Sequence, residues 1–329
     1  MKKIILVIFA FFSIEVYAAD TFMEMCENPT ASQKITINAL AKKIFGGKEN
    51  FIMGCVPLYD DLSRRIIVYV VGGEVSDLSP LKYFIQLKEI YAASNKIVDL
   101  SPLEKLINLE ELVLRGNEIV DISPLNRLGK LKLLNVGNNK IVNIKAISNL
   151  DDLEVLWMSM NKVSDFSSLK NLRNLKKLDI SYNKLEDVCV IGNIVNLQNI
   201  SALGSNINDI SCLNKLTSLV NVSMSRNDIS DISVLSNMTK LEKLSIAENP
   251  VENIQSLKNL KNLRNLSVSY TNVKDLSPLV GLPKFSTIYV VEDQLVKCSP
   301  KNIKEIKAGK SCYTPDGKLK PWWKRMLGM

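Results

Sequence analysis

The 329-residue sequence contains no histidine. That absence removes Ser-His-Asp and Cys-His nucleophilic arrangements and every zinc site that needs an imidazole. Aromatic residues make up only 6% of the chain, so its 46% hydrophobic content rests mainly on aliphatics, as a core made of many thin layers requires. There is no glycine-rich phosphate-binding loop and no metal-ligating cluster, and no non-repeat segment is large enough to hold an active site. The expectation is a chain that is not an enzyme, with no catalytic residue, metal or cofactor. Its formal net charge of +8 is spread along the chain without a long Lys/Arg run, which fits a solvated exterior and not a nucleic-acid surface.

Long apolar runs are also missing after the N-terminus. Residues 1–20, MKKIILVIFAFFSIEVYAAD, begin with Lys2 and Lys3, continue through an apolar run from Ile4 to Phe12, and reach small residues at Ala18 and Ala19. A basic start, a short apolar stretch and a small-residue cleavage site form a secretory signal peptide. Residues 1–18 are assigned to it, with cleavage after Ala18 or Ala19. A membrane anchor would need about 20 apolar residues. The expected location is secreted, cell-surface or periplasmic.

The six cysteines of an exported chain point to disulfides, because that compartment is oxidising. Cys26 and Cys55 precede the repeats described next and Cys298 and Cys312 follow them, so two bridges are expected, one at each end. Cys189 and Cys212 lie inside the repeats on adjacent turns. A stacking distance of roughly 5 Å puts them within disulfide reach, and they form either a third bridge or a pair of buried thiols.

Between Arg65 and Leu295 a pattern of leucines and asparagine returns every 22 residues: Asn95, Asn117, Asn139, Asn161, Asn183, Asn227 and Asn249 share one register. Gly73, Ser205, Thr271 and Asp293 occupy that position in the remaining turns, giving about eleven turns. Leu153 to Leu169, LEVLWMSMNKVSDFSSL, shows the whole unit. It spells L-x-x-L-x-L-x-x-N-x-I-x-D-I-x-x-L, the leucine-rich repeat signature. The L-x-L segment alternates with period two, so pairs such as Leu112/Leu114, Leu134/Val136 and Leu156/Met158 point inward from short parallel strands. The asparagine amide is placed at the bend, where it can satisfy buried backbone groups. Segments such as Asp99-Leu-Ser-Pro-Leu103 start a short return helix, with serine as N-cap and proline at the first helical position.

The fold class is therefore an α/β solenoid, a leucine-rich repeat horseshoe with a parallel β-sheet on its concave face and short helices on its convex face. Its solenoid spans 63–296. Residues 19–62 form a helical N-terminal cap whose one recognisable helix runs from about Ser32 to Phe45, with Thr30 or Ser32 as N-cap and Gly46-Gly47 as stop. Residues 297–329 form a C-terminal cap and tail. Lys318 to Leu327, with Trp322 and Trp323, could rest at a membrane interface, though cover for the open end of the solenoid is favoured.

The fixed register and the Ser-Pro-Leu return segments resemble the 22-residue leucine-rich repeats of bacterial internalins. That resemblance implies a surface or secreted protein that grips a protein partner with its concave face. No cell-wall sorting motif or Ig-like domain follows the repeats, and the extra cysteines suggest a Gram-negative periplasm or exterior.

On the outward strand positions, apolar residues cluster in the first half of the chain. Tyr91, Val113, Leu133, Val155 and Trp157, with Met160 and Tyr182 beside them at the bend, are the candidate partner-binding residues, since contiguous exposed apolar surface rich in Trp and Tyr marks interaction sites. Outward positions of the second half, including Ser201, Ser223, Ser245 and Ser267, fit a solvated sheet. Lys96, Lys140, Lys162 and Lys184 follow the ladder asparagine and suggest a basic rim. The expected function is an exported protein-binding protein, and the alternative is an envelope structural or anionic-glycan recognition module that uses this rim.

Overall fold

The computed structural model describes residues 18–46, 54–70, 73–185, 187–290 and three short strand segments beyond them. The chain divides into two compact units, residues 1–157 and 158–329.

The first unit begins with three helices: α1, whose described part covers 18–27, α2 (Ala31–Ile44) and α3 (Cys55–Arg64). Thr30 opens α2 through a capping box with Gln33, so two of the helix's unpaired terminal N–H groups are satisfied by side chains. The sequence shows only α2 plainly. Its two companions escape the pattern because α1 starts where the signal peptide is expected to end and α3 carries Pro57 in its first turn, where proline is tolerated. Cys26 and Cys55 are bridged, as expected, and the bridge ties α1 to α3.

Five three-residue strands follow: β1 (Ile67–Tyr69), β2 (Glu89–Tyr91), β3 (Glu111–Val113), β4 (Leu133–Asn135) and β5 (Val155–Trp157). Each pairs in parallel with the next at a register of 22 residues, Ile90 with Leu112 and Leu134 with Leu156 among them. Every turn buries the same aliphatic set. In the turn of β3, Leu109, Leu112, Leu114, Ile119, Leu125 and Leu128 are all fully buried, each worth about 1.5–3 kcal/mol of transfer free energy. Phe84 takes the core position that is Leu106 one turn later, and its ring meets Phe22 of α1 at 5.2 Å and Tyr59 of α3 at 5.7 Å. One aliphatic-to-aromatic exchange thus couples the helices to the first layer of the solenoid.

The second unit repeats the arrangement in β6 (Lys177–Asp179), β7 (Asn199–Ser201), β8 (Asn221–Ser223), β9 (Lys243–Ser245), β10 (Asn265–Ser267) and β11 (Thr287–Tyr289). These too pair in parallel, Ile200 with Val222 and Leu266 with Ile288. Both units are leucine-rich repeat solenoids, with strands on one side and return turns on the other.

The return turns differ from the expected helices in length and in cap. They are 3-10 turns of three to five residues, such as Ser101–Leu103 and Ser123–Arg127, and their serine makes no cap bond. The aspartate two residues earlier caps instead. Asp99 Oδ1 accepts the Ser101 N–H at 2.8 Å and Asp121 Oδ1 accepts that of Ser123 at 2.8 Å. The carboxylate reaches a backbone N–H two residues on in an Asx turn, which lets the chain start the return within a 22-residue repeat.

The asparagine amides link the turns. Asn117 Oδ1 accepts the Ile97 N–H at 3.0 Å, while its Nδ2 donates to Ala92 O at 2.9 Å and Leu114 O at 2.8 Å. In the second unit Asn249 likewise serves Ile229 N, Met224 O and Ile246 O. The residue before each ladder position from 95 to 271 is left-handed, even where it is not glycine: Ser94, Asn138, Met160, Tyr182, Arg226, Glu248 and Tyr270 have φ of 52–57°.

Cys189 and Cys212, left open by the sequence, form a disulfide between successive return turns, with Cα atoms 5.4 Å apart. The expected Cys298–Cys312 bridge and the Trp322-Trp323 tail lie outside the described residues. Among the described residues, no helix is long and apolar enough to cross a membrane.

Candidate functional site

The outward face of the first sheet has two columns, set by strand register. The first residues of the strands give Glu89, Glu111, Leu133 and Val155; the third residues give Tyr69, Tyr91, Val113, Asn135 and Trp157. Adjacent members of a column stand about 4.8 Å apart. Leu133, Val155, Tyr91 and Val113 are half-buried, and Trp157 is 38% exposed. In its column Trp157 neighbours Asn135, not Val113, and Asn135 turns its Oδ1 back to the Gly137 N–H at 3.2 Å. The apolar surface therefore runs diagonally, from Val113 through Leu133 and Val155 to Trp157.

At the other end of this face the aromatics are held by polar contacts. Tyr69 and Tyr91 stack with centroids 4.9 Å apart and planes at 12°, and Lys43 of α2 places its ammonium 5.2 Å from the Tyr69 centroid. The Tyr91 hydroxyl donates to Glu111 Oε2 at 2.7 Å and Glu89 Oε2 at 2.9 Å. These bonds, Glu111 first, together with partial burial and the nearby negative charge, push the Tyr91 hydroxyl well above the usual phenol range. Tyr69, which escapes the sequence reading because its turn lacks the ladder asparagine, extends the face by one strand.

Met160 and Tyr182 belong to the second unit, 48% and 42% exposed. The Tyr182 ring lies over Gly204, where a Cβ would stand 3.2 Å from its Cδ1 and Cε1. Its hydroxyl accepts from Arg226 Nη1 at 3.3 Å, and Arg226 is paired in turn with Glu248 at 2.9 Å. The serine columns of this unit bond internally, Ser181 to Ser201 at 2.8 Å and Ser225 to Ser245 at 2.7 Å.

A profile of leucine-rich repeats (two copies) matches residues 85–127, 129–171, 151–193 and 217–259. Among solved structures, an internalin (inlF) from Listeria monocytogenes is similar at 23% identity with a TM-score of 0.65, over 81% of this chain and 84% of that one. Internalin C2 (inlC2) of the same organism is 24% identical with a TM-score of 0.54, over 71% of this chain and 92% of its own. The chain carries leucine-rich repeats and shares the fold of these two internalins. The same fold is found in a plant peptide hormone receptor, RGFR1, in complex with RGF2, at 20% identity and a TM-score of 0.58, over 66% of this chain and 38% of the receptor. No curated protein matches the sequence.

In this chain the expected basic rim is in part neutralised. Lys96 pairs with Glu74 at 2.5 Å and Lys140 with Glu118 at 2.8 Å, because the residue after the ladder position alternates Glu74, Lys96, Glu118, Lys140 from turn to turn. A second apolar column that the strand pattern does not reveal lies beyond the bend. Val98, Val120 and Val142 are 53%, 51% and 55% exposed. Its signal in the sequence is a valine directly after an inward isoleucine, repeated at 22 residues.

Proposed function

We propose that the chain is an exported, non-enzymatic binding protein that engages a protein partner through the sheet face of its first unit. The observation that carries this reading is Trp157, a large aromatic 38% exposed on a strand, with half-buried Leu133 and Val155 beside it. Exposed apolar surface of this kind is costly in water and gains by being covered, and tryptophan dominates binding hot spots. The complex of the plant receptor with RGF2 supports the use of this fold for polypeptide recognition. Two disulfides and the signal-like N-terminus support export. Among the described residues no group of His, Cys, Asp or Glu could hold a metal. The anionic-glycan alternative loses support, because Lys96 and Lys140 of its rim already have carboxylate partners.

Panning a library of random dodecapeptides displayed on phage against the full chain, then measuring selected peptides on the wild type and Trp157→Ser, tests the proposal. Affinity falling by tenfold or more in the variant supports it, since a hot-spot truncation costs about 2 kcal/mol or more. Binders indifferent to Trp157→Ser and to Leu133→Ser would refute it.

A further inference from the structure

We propose that the face centred on Glu89, Glu111 and Tyr91 recognises a basic side chain, so that the bound segment presents an arginine or lysine close to an apolar anchor. The inference rests on the reading of this face as a protein-binding surface and adds the chemistry of the partner. Glu89 and Glu111 are direct register partners on adjacent strands, which places two carboxylates side by side, an arrangement that is unfavourable for like charges. Among the described residues neither has an ion-pair partner. What bridges them is the single hydroxyl of Tyr91, which has one proton to give and leaves lone pairs on both carboxylates unused.

The neighbouring rim shows that the turns can supply cations where a carboxylate needs them. Glu110, one residue before Glu111, sits between Lys88 at 2.9 Å and Lys132 at 2.7 Å. On the face itself Glu89 and Glu111 make no such pair among the described residues, and the Lys43 ammonium stands over Tyr69 instead. The aromatic pair adds a second, independent feature. Tyr69 already takes the Lys43 ammonium against its ring, and a cation over a stacked tyrosine pair is attracted by the ring quadrupoles as well as by the carboxylates. Arg115 is a basic residue two positions past the end of β3. It lies four residues beyond Glu111, roughly 13 Å along the chain, on the far side of Val113, so the Glu89–Glu111 end remains the anionic part of the face.

Charge complementarity thus selects a cation, and the planar fork of arginine, which can reach two carboxylates at once, suits the site better than a lysine. Leu133 and Val155 continue the column from Glu111, one and two strand spacings away, about 5 and 10 Å. An extended segment crossing the strands covers 10 Å in about three residues. The basic and apolar anchors are therefore expected about three residues apart.

The dodecapeptides selected above provide the test. Expected are peptides with an arginine or lysine about three positions from an apolar residue, whose affinity drops at least tenfold on replacement of the arginine by citrulline and in Glu89→Gln/Glu111→Gln. Glutamine keeps an acceptor for the Tyr91 hydroxyl, and an unchanged thermal transition verifies that the variant folds. Peptides that lose affinity with Trp157→Ser but lack a basic residue, or bind Glu89→Gln/Glu111→Gln as tightly as wild type, overturn the cation site and leave the apolar surface standing. Peptides that depend on the glutamates but not on Trp157 or Leu133 retain the cation site and remove the apolar surface reading.

Discussion

Lys132 Nζ donates to the Glu110 carboxylate at 2.7 Å from the equivalent position one repeat later. Lys88 approaches Glu110 at 2.9 Å from the repeat before, so a 22-residue period turns an alternation of charge in sequence into a ladder in space. The hydrogen bond from Lys132 and then that from Lys88, followed by their charges, pull the Glu110 carboxyl down to about 2. A carboxylate depressed in the folded state contributes stability that is present above its unfolded value, about 4.3, and is lost as pH falls through the folded one. Carboxyl NMR should find the Glu110 midpoint near 2, and Lys88→Met/Lys132→Met should return it toward the ordinary glutamate value. A midpoint near 4 in the wild type would mean that the ladder does not persist in solution.

Asn117 offers a larger effect. Asn117→Ala leaves the Ile97 N–H and one carbonyl interaction each at Ala92 and Leu114 without their partner in a buried site. The Ala92 and Leu114 carbonyls keep the amides of Asn95 and Asn139. The unsatisfied Ile97 N–H therefore costs about 1–3 kcal/mol and each lost carbonyl bond about 0.5–1.5 kcal/mol, so urea denaturation should show a loss of about 2 kcal/mol or more. Asn117→Ser should lose less. The Ser205 turn shows how a hydroxyl serves there: Ser205 Oγ donates to Ile180 O at 3.4 Å, while Asn227 Oδ1 of the next turn accepts both Ser205 N at 2.9 Å and Ile207 N at 3.0 Å.

These two cases show what a repeat makes legible. Inward leucines, the asparagine register and the strands follow from period alone, because one 22-residue solution is repeated and each copy corroborates the others. The caps of the return turns do not follow, since Asp99 and Ser101 both have good capping chemistry and only the backbone path decides that Asp99 accepts. The helices α1 and α3 occur once and have no second copy to expose them. The site divides in the same way. Outward placement of Val113, Leu133 and Trp157 is a matter of parity, whereas the clasp of Tyr91 on Glu89 and Glu111 depends on side-chain direction across two strands, which no linear pattern encodes.

The Cys189–Cys212 bridge closes a sequence separation of 23. In the chain-entropy account a loop of this size stabilises by about 3 kcal/mol, so Cys189→Ala/Cys212→Ala should lower the unfolding free energy by up to that amount. Gly192 bears on the same contact. A Cβ at Gly192 would stand 2.8 Å from the Cys212 carbonyl oxygen and 3.2 Å from that of Cys189, backbone atoms that cannot step aside as a side chain would. Gly192→Ala should therefore destabilise the oxidised protein by about 1–3 kcal/mol, the usual range for overpacking. An unchanged denaturation midpoint for Gly192→Ala would show that the two return turns do not approach so closely.

Gly204 meets two constraints that a double-mutant cycle can separate. Its φ of +59° is strained for any residue with a Cβ, and that Cβ would stand 3.2 Å from two ring carbons of Tyr182. The left-handed backbone costs roughly 1–2 kcal/mol for an alanine, and crowding against the ring adds to it. Gly204→Ala should thus destabilise by about 2 kcal/mol or more in the wild-type background. With Tyr182→Ala already in place the ring term vanishes and the backbone term stays, so the same substitution should cost only about 1–2 kcal/mol. Tyr182 itself has φ of 54°, and Tyr182→Gly would relieve its own backbone strain while losing the contact with Arg226 at 3.3 Å. Equal costs for Gly204→Ala in the two backgrounds, measured by thermal denaturation, would place all of the strain in the backbone and none in the tyrosine that lies over it.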